Sequence, residues 1–163
     1  MNPHVIHAPW IVPGDEAPVA DGALVLDARG AVLDMGPAGS VIPAHGALPV
    51  TRVHAVLTPA LVNAHTHVEL SALRGRAPGG DGFLPWVARF ATARRALDPD
   101  ECSGAIDRAV DELDAAGTAA VGDVGNDAHA VQALARRGVQ GWFFHEVVGI
   151  APGAGDASFA RIA

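Results

Sequence analysis

The sequence predicts an α/β chain: a parallel sheet with intervening helices, preceded by a small lobe of short β-strands. Two textures carry this prediction. From residue 55 onward, apolar strand-like runs alternate with segments of helical periodicity, in the order β-α-β-α-β. Before residue 55, the apolar runs are short and are cut by Pro, Gly and Asp. The composition supports a folded chain with a core, since 163 residues are 50% hydrophobic and 18% charged. The expected organisation is a small lobe over residues 1–54, an antiparallel sheet or a β-sandwich, and an α/β domain over residues 55–163.

In the lobe, the strand-like runs are Val5-Ile6, Trp10 to Val12, Ala23 to Leu26 and Val32-Leu33. Gly22 to Gly36 reads as a hairpin with its turn at Ala28-Arg29-Gly30. His54 to Ala64 is mostly apolar, the pattern of a strand buried on both faces. Phe83, Trp86, Val87, Phe90, Ala93 and Leu97 recur at helical spacing. Asp98-Pro99-Asp100-Glu101 is a helix start, with Asp98 as cap, proline in the first turn and Glu101 three residues after the cap. That helix places Cys102, Ile106, Ala109/Val110 and Leu113 on one face and stops at Gly117. Thr118 to Val124 is a β-type run. Asn126 or Asp127 caps the next helix, with Ala128, Val131, Leu134 and Ala135 as its apolar stripe and Gly138 as its end. Val139 to Val148 reads as another buried strand, and Asp156 to Ala163 as the start of a further helix. Consecutive β-α-β units imply a parallel sheet with right-handed crossovers.

The charge balance narrows the partners. Eleven basic residues, all arginine, against 18 acidic ones give a net charge of −7. A negative chain without a basic stripe is a poor binder of nucleic acid or of an anionic membrane. No run approaches the ~18 apolar residues of a membrane span. Met1-Asn2-Pro3-His4 lacks the charged and apolar regions of a signal peptide. One cysteine, Cys102, excludes an internal disulfide. The expectation is a cytoplasmic protein acting on a small molecule.

The chemistry lies in Leu57 to Gly75. His65 and His67 stand two apart at the end of an apolar strand, so both imidazoles point to one face. Two imidazoles at this spacing can take adjacent positions on one divalent metal, with Zn–N near ~2.0–2.1 Å. Spacing alone is weak evidence, because eight histidines in one chain produce such pairs by chance. The position on the first strand after a small β lobe strengthens it.

Val56-Leu-Thr-Pro-Ala-Leu-Val-Asn-Ala-His-Thr-His67 resembles the first-barrel-strand signature of the amidohydrolase superfamily, in its cytosine deaminase and chlorohydrolase-like branch. Ala60 stands where that branch usually has glycine. Val68 to Gly75 followed by Gly82-Phe-Leu-Pro-Trp86 is most similar to aminodeoxyfutalosine deaminase-like proteins. Gly117 to Asp123 resembles the second strand of the branch, Phe143 to Gly149 the third, and the hairpin at residues 22–36 the β lobe. The resemblance covers nearly the whole chain and implies the first three strands of a (β/α)8 barrel beside a β-sandwich lobe. It implies one divalent ion, zinc first and iron as the alternative, held in part by His65 and His67. Family members use a metal-bound hydroxide against an amidine, amide or chloro-substituted carbon. Their remaining machinery comes from later strands: histidines on the fifth and sixth, an aspartate on the eighth and a glutamate after the fifth. A complete barrel needs ~250 residues, so residues 55–163 are expected to be the N-terminal part of one, with no catalytic acid–base residue of their own. Dimers are common among such relatives, which makes a homodimer the expectation for the full-length protein.

Among the other residues, Glu69 lies four after His65 and shares its face if the strand persists, where it would orient a ligand or contact substrate. Asn63, on that face too, serves the backbone. His145 and Glu146 end the third strand and face the barrel mouth; His145 is read as a substrate contact, with a hydrogen-bonded core histidine as the alternative. Arg74 is the third substrate candidate, for an anionic group, with a surface salt bridge as the default. Asp123 is assigned a structural role and Trp86 to core packing. Phe83-Leu84-Pro85 offers no acidic residue for ribose hydroxyls, so the ribose-holding role of some nucleoside deaminases does not carry over. His4, His7, His45, His54 and His129 are assigned to the surface, and Cys102 is read as inert. The leading expectation is a metal-dependent hydrolase of non-peptide C–N bonds that deaminates an aminopurine or cyclic amidine. The alternatives are a dechlorinating or imide-cleaving hydrolase of the same branch, a truncated and catalytically silent chain, and a complete small α/β binding domain with incidental histidines.

Overall fold

A computed structural model describes residues 2–147 and residue 160. Apart from Ala160, the helix start expected at Asp156 to Ala163 lies outside the described residues, as do Val148 and Gly149 of the third-strand motif. The chain divides into two compact units, Met1–Pro59 and Ala60–Ala163.

In the first unit, β1 (His4–Ile11) runs antiparallel to β2 (Val19–Leu26), and β2 antiparallel to β3 (Val32–Pro37). β4 (Val50–Arg52) and β5 (Val56–Leu57) both pair parallel to β1, giving one mixed sheet of order β3-β2-β1-β4 with β5 also on β1. The expected hairpin is present. Asp27 closes its turn, its Oδ1 accepting from the Arg29 and Ala31 N–H groups at 2.8 Å each. The second layer is a helix, α1 (Ala38–Ala44), which seats Ala38 and Val41 on Val5, Ala23 and Val25. Of the two forms expected for the lobe, a small antiparallel sheet or a sandwich, the described residues of this unit show one sheet, mixed rather than wholly antiparallel, with a helix over it. The helix escaped the sequence reading because it has seven residues, no side-chain cap and an internal Pro43, so burial rather than propensity holds it.

The second unit has a parallel three-stranded sheet, β6 (Leu61–Thr66), β7 (Thr118–Gly125) and β8 (Gln140–His145), in that order. A 3-10 segment, Val68–Leu73, follows β6, then α2 (Phe83–Arg95) and α3 (Pro99–Ala115); α4 (Ala128–Arg136) joins β7 to β8. Asp98 caps α3 through its side chain on the Asp100 N–H at 2.9 Å, and Asp127 caps α4 through the His129 N–H at 2.8 Å. Gly117 ends α3 at φ +76°, a conformation that costs glycine little. Ile106 and Val110 of α3 and Ala130, Ala133 and Leu134 of α4 close over Val121 of β7 together with Val68 and Val139.

Three expectations are corrected here. The apolar run from His54 to Ala64 is not one strand: Val56-Leu57 joins the first sheet, and Leu61 opens the second. Pro59 between them has no N–H to give a ladder. β6 and β8 are not buried on both faces either, since Leu61, Val62, Trp142 and Phe144 are exposed. The third concerns side chains on the helices. Val131 is exposed while Ala130 and Ala133 carry the α4 contact. Trp86 is half-buried rather than core, stacked between Phe83 and Phe90 with centroids at 5.9 and 5.4 Å.

Candidate metal centre

Parallel pairing brings the C-terminal ends of β6, β7 and β8 to one end of the sheet, with Thr66 opposite Asp123 and Gly125 opposite His145. In α/β folds this end carries the chemistry, because loops and helix N-termini converge there. His65 is the penultimate residue of β6 and His67 follows its end. Their rings lie edge to face, 5.0 Å between centroids and 75° between planes. His65 is exposed and His67 half-buried. Asn63 serves the backbone as expected, its Oδ1 accepting the His65 N–H at 3.2 Å. His67 Nδ1 is buried and has no hydrogen-bond partner among the described residues.

Glu69 is not on the strand face. β6 ends at Thr66, and the 3-10 segment turns Glu69 inward, where it is 8% exposed. Its Oε1 accepts from Arg94 Nη2 at 2.7 Å and its Oε2 from the Asn126 N–H at 2.6 Å. The carboxylate rests on the Gly125 backbone, where a Cβ would come to 3.0 Å from Cδ and Oε2. Asn126 also donates from Nδ2 to the Glu146 carbonyl and accepts the Glu146 N–H at Oδ1. Glu69 and Asn126 thereby tie the segment after β6 to the ends of β7 and β8. Sequence reading missed this role of Asn126, whose signal would have been a partner 57 residues away along the chain.

Asp123, 1% exposed, accepts the Val68 N–H at 2.9 Å through Oδ1, while Oδ2 is buried without a partner among the described residues. Burial pushes its carboxyl above the usual aspartate range. The Val68 N–H opposes that shift, the Glu69 charge adds to it and His67 lowers it.

His145 ends β8 and is exposed at the same end of the sheet. Arg74 is committed elsewhere: its guanidinium pairs bidentately with Glu112 of α3 at 2.9 and 2.7 Å. Glu112 lies near the C-terminal end of α3, which leads to the start of β7, not its end. The pairing holds the Glu112 carboxyl below the usual range. His7 is less exposed than expected, its side chain 16% exposed and its Nε2 2.7 Å from Asp21. His45 and His129 pair with Asp34 and Asp107. Burial, followed by the neighbouring Glu101, Asp127 and Asp98 charges, raises the Cys102 thiol, which keeps it a poor nucleophile.

Two neutral imidazoles from one strand end form a donor set that suits zinc or iron(II) better than magnesium or calcium. Among the described residues, no group of three or more His, Cys, Asp or Glu side chains is arranged to hold an ion. The pair therefore fits as part of a ligand set. No helix among the described residues is long and apolar enough to cross a membrane.

The fold and this strand end define a class, and comparison with known proteins supplies its family. Residues 56–157 match the amidohydrolase family, and the chain belongs to it. Over 108 residues it is 29% identical to the aminodeoxyfutalosine deaminase of a Nitratiruptor species, a stretch covering 66% of this chain and 26% of that protein. The crystal structure of Helicobacter pylori aminofutalosine deaminase in complex with methylthio-coformycin superposes with a TM-score of 0.81 at 24% identity. It covers 97% of this chain, which spans 40% of that one. An adenosine deaminase from Xanthomonas campestris with bound zinc gives a TM-score of 0.60 at 20% identity, over 96% of this chain and 37% of that one. The chain is thus an α/β fold shared with amidohydrolases and spans well under half of the relatives it matches.

Proposed function

We propose that this chain supplies the first part of a metal-dependent hydrolase of non-peptide C–N bonds, whose reaction is the hydrolytic deamination of an aminopurine or related cyclic amidine. The observation that carries the proposal is the His65–His67 pair, two imidazoles 5.0 Å apart at the C-terminal end of a parallel strand. Family membership supports the hydrolase, and the name of the Nitratiruptor relative supports deamination. In this reading β6, β7 and β8 are the first three strands of a (β/α)8 barrel, and residues outside these 163 complete the ligand set and supply the proton shuttle.

His65 and His67 would hold the ion, zinc first and iron as the alternative. Such an ion lowers the pKa of a bound water towards ~7 and so provides a nucleophile at neutral pH. Glu69 and Asn126 hold the strand ends in register around the pair. Of the three residues read from sequence as substrate contacts, His145 keeps a position that suits the role. Both Glu69 oxygens are occupied by Arg94 and Asn126, and the Arg74 guanidinium by Glu112. A small-molecule substrate, a cytoplasmic location and a homodimeric whole protein belong to the same proposal.

The test is His65→Ala with His67→Ala in the whole protein that carries these residues. Bound zinc, read by elemental analysis, and turnover of aminopurine nucleosides, read by the absorbance change on deamination, should both be lost. Unchanged metal content and turnover would sink the assignment. A second reading, that the 163-residue chain alone is catalytically silent, is favoured by the donor count of two among the described residues. It requires weak zinc binding by this chain in a competition titration with a chromophoric chelator; tight binding and turnover by the chain alone would overturn it.

A further inference from the structure

Two buried polar atoms at the C-terminal end of the parallel sheet have no partner among the described residues: His67 Nδ1 and Asp123 Oδ2. They belong to neighbouring strand ends. Asp123 lies opposite Thr66 in the β6–β7 register, and its other oxygen holds the N–H of Val68, the residue after His67. Glu69, the other buried carboxylate here, has both oxygens taken. A buried donor or acceptor left unmade is costly, and one hydrogen bond between these two atoms would satisfy both. His67 needs such an acceptor for a chemical reason as well. An imidazole that gives its Nε2 lone pair to an ion must carry its proton on Nδ1, and an acceptor facing Nδ1–H fixes that tautomer.

Resting on the metal-site reading above, we propose that Asp123 is the positioning residue of the histidine pair. Oδ1 anchors the chain just after His67 through the Val68 N–H. Neither atom has a partner among the described residues, so the His67 ring must turn for Oδ2 to accept its Nδ1–H, which leaves Nε2 free to bind the ion. A merely structural Asp123 would need only the first of these contacts.

The Asp123→Asn variant separates the two roles. Its carbonyl still accepts the Val68 N–H, but its NH2 presents a donor where Oδ2 presented an acceptor. Nδ1 must then accept, and the proton moves to Nε2. The measurement is the His67 tautomer in the 163-residue chain, read from imidazole 15N shifts at a pH where the ring is neutral. Alongside it, zinc affinity is read by chelator competition. The wild type should show the Nδ1–H tautomer. In Asp123→Asn it should switch to Nε2–H, with zinc affinity falling about 10- to 100-fold while the Val68 amide keeps its protection from exchange. An Nε2–H tautomer in the wild type overturns the proposal without any variant, which covers the case of a substitution that fails to fold. Unchanged tautomer and affinity in Asp123→Asn overturn it too. In the whole protein, zinc that moves neither His65 nor His67 resonances defeats the metal reading instead, and the tautomer still decides the role of Asp123.

Discussion

Glu69 is an ion-paired carboxylate whose two oxygens serve two different elements. Its side chain is 6% exposed against 40% for Arg94, so the pair is more than a surface contact. Glu69→Ala leaves the Asn126 N–H without its acceptor and the Arg94 guanidinium without its partner. We expect a loss of about 2–3 kcal/mol in urea denaturation; a loss under half a kcal/mol would mean that water replaces the carboxylate. Gly125→Ala tests the same contact from the other side. The carboxylate is fixed at both oxygens and cannot retreat from a Cβ at 3.0 Å, so a cost of about 1–3 kcal/mol is expected. Asp123 supplies a pH dependence. Its folded pKa lies above its unfolded value, so the folded state binds the proton more tightly. Its contribution to stability is fully present below the ordinary value of 3.8 and declines as pH rises through the raised folded value. Asp123→Asn keeps the Val68 acceptor and removes that decline. The difference between variant and wild type in urea midpoints should therefore grow with pH; a constant difference would show that the carboxyl is not perturbed.

At the scale of elements, local signals are the readable ones. Asp98-Pro99 carries its own start, since the cap bonds within two residues, and Asp98→Ala should cost about 1 kcal/mol of stability. The core face of α3 is legible for the same reason: helical spacing puts Ile106 and Val110 on one side, and both are buried. Ile106→Ala should cost about 2–5 kcal/mol, measured as a drop in denaturation midpoint at unchanged slope. The His-x-His pair is legible as a spacing only: His65 lies in β6 and His67 just past its end, and the course of the chain there, not strand alternation, sets their rings 5.0 Å apart. Where the sequence misleads, the deciding contact is distant or the pattern degenerate. An apolar run reads alike whether it is one strand or the ends of two, and only Pro59 marks the break between β5 and β6. Continuing the alternation of β6 past Thr66 puts Glu69 on the His65 face. Its inward turn instead depends on Arg94 and Asn126, 25 and 57 residues away. The half-burial of Trp86 depends on what α2 meets in three dimensions, which helical spacing does not encode.

At the scale of the whole molecule, the second unit covers one face of its sheet with α3 and α4 and leaves large apolar side chains elsewhere in contact with water. Trp142 is 76% exposed, Val62 68%, Leu61 57% and Phe144 52%. Among the described residues β6 and β8 each pair on one side only. Unpaired edges flanked by apolar side chains are templates for association, and a net charge of −7 opposes association only while salt does not screen it. The 163-residue chain should therefore self-associate with rising concentration and with added salt, and should bind an apolar dye. Light scattering after size exclusion and dye fluorescence measure these. Val62→Lys with Trp142→Lys puts charge on both edge strands, where lysine is the usual protection, and should return the chain towards the monomer without lowering its denaturation midpoint. Those two positions are exposed, so loss of core packing cannot account for the change. If the wild-type chain stays monomeric at high salt and binds no dye, the apolar side chains are covered in solution.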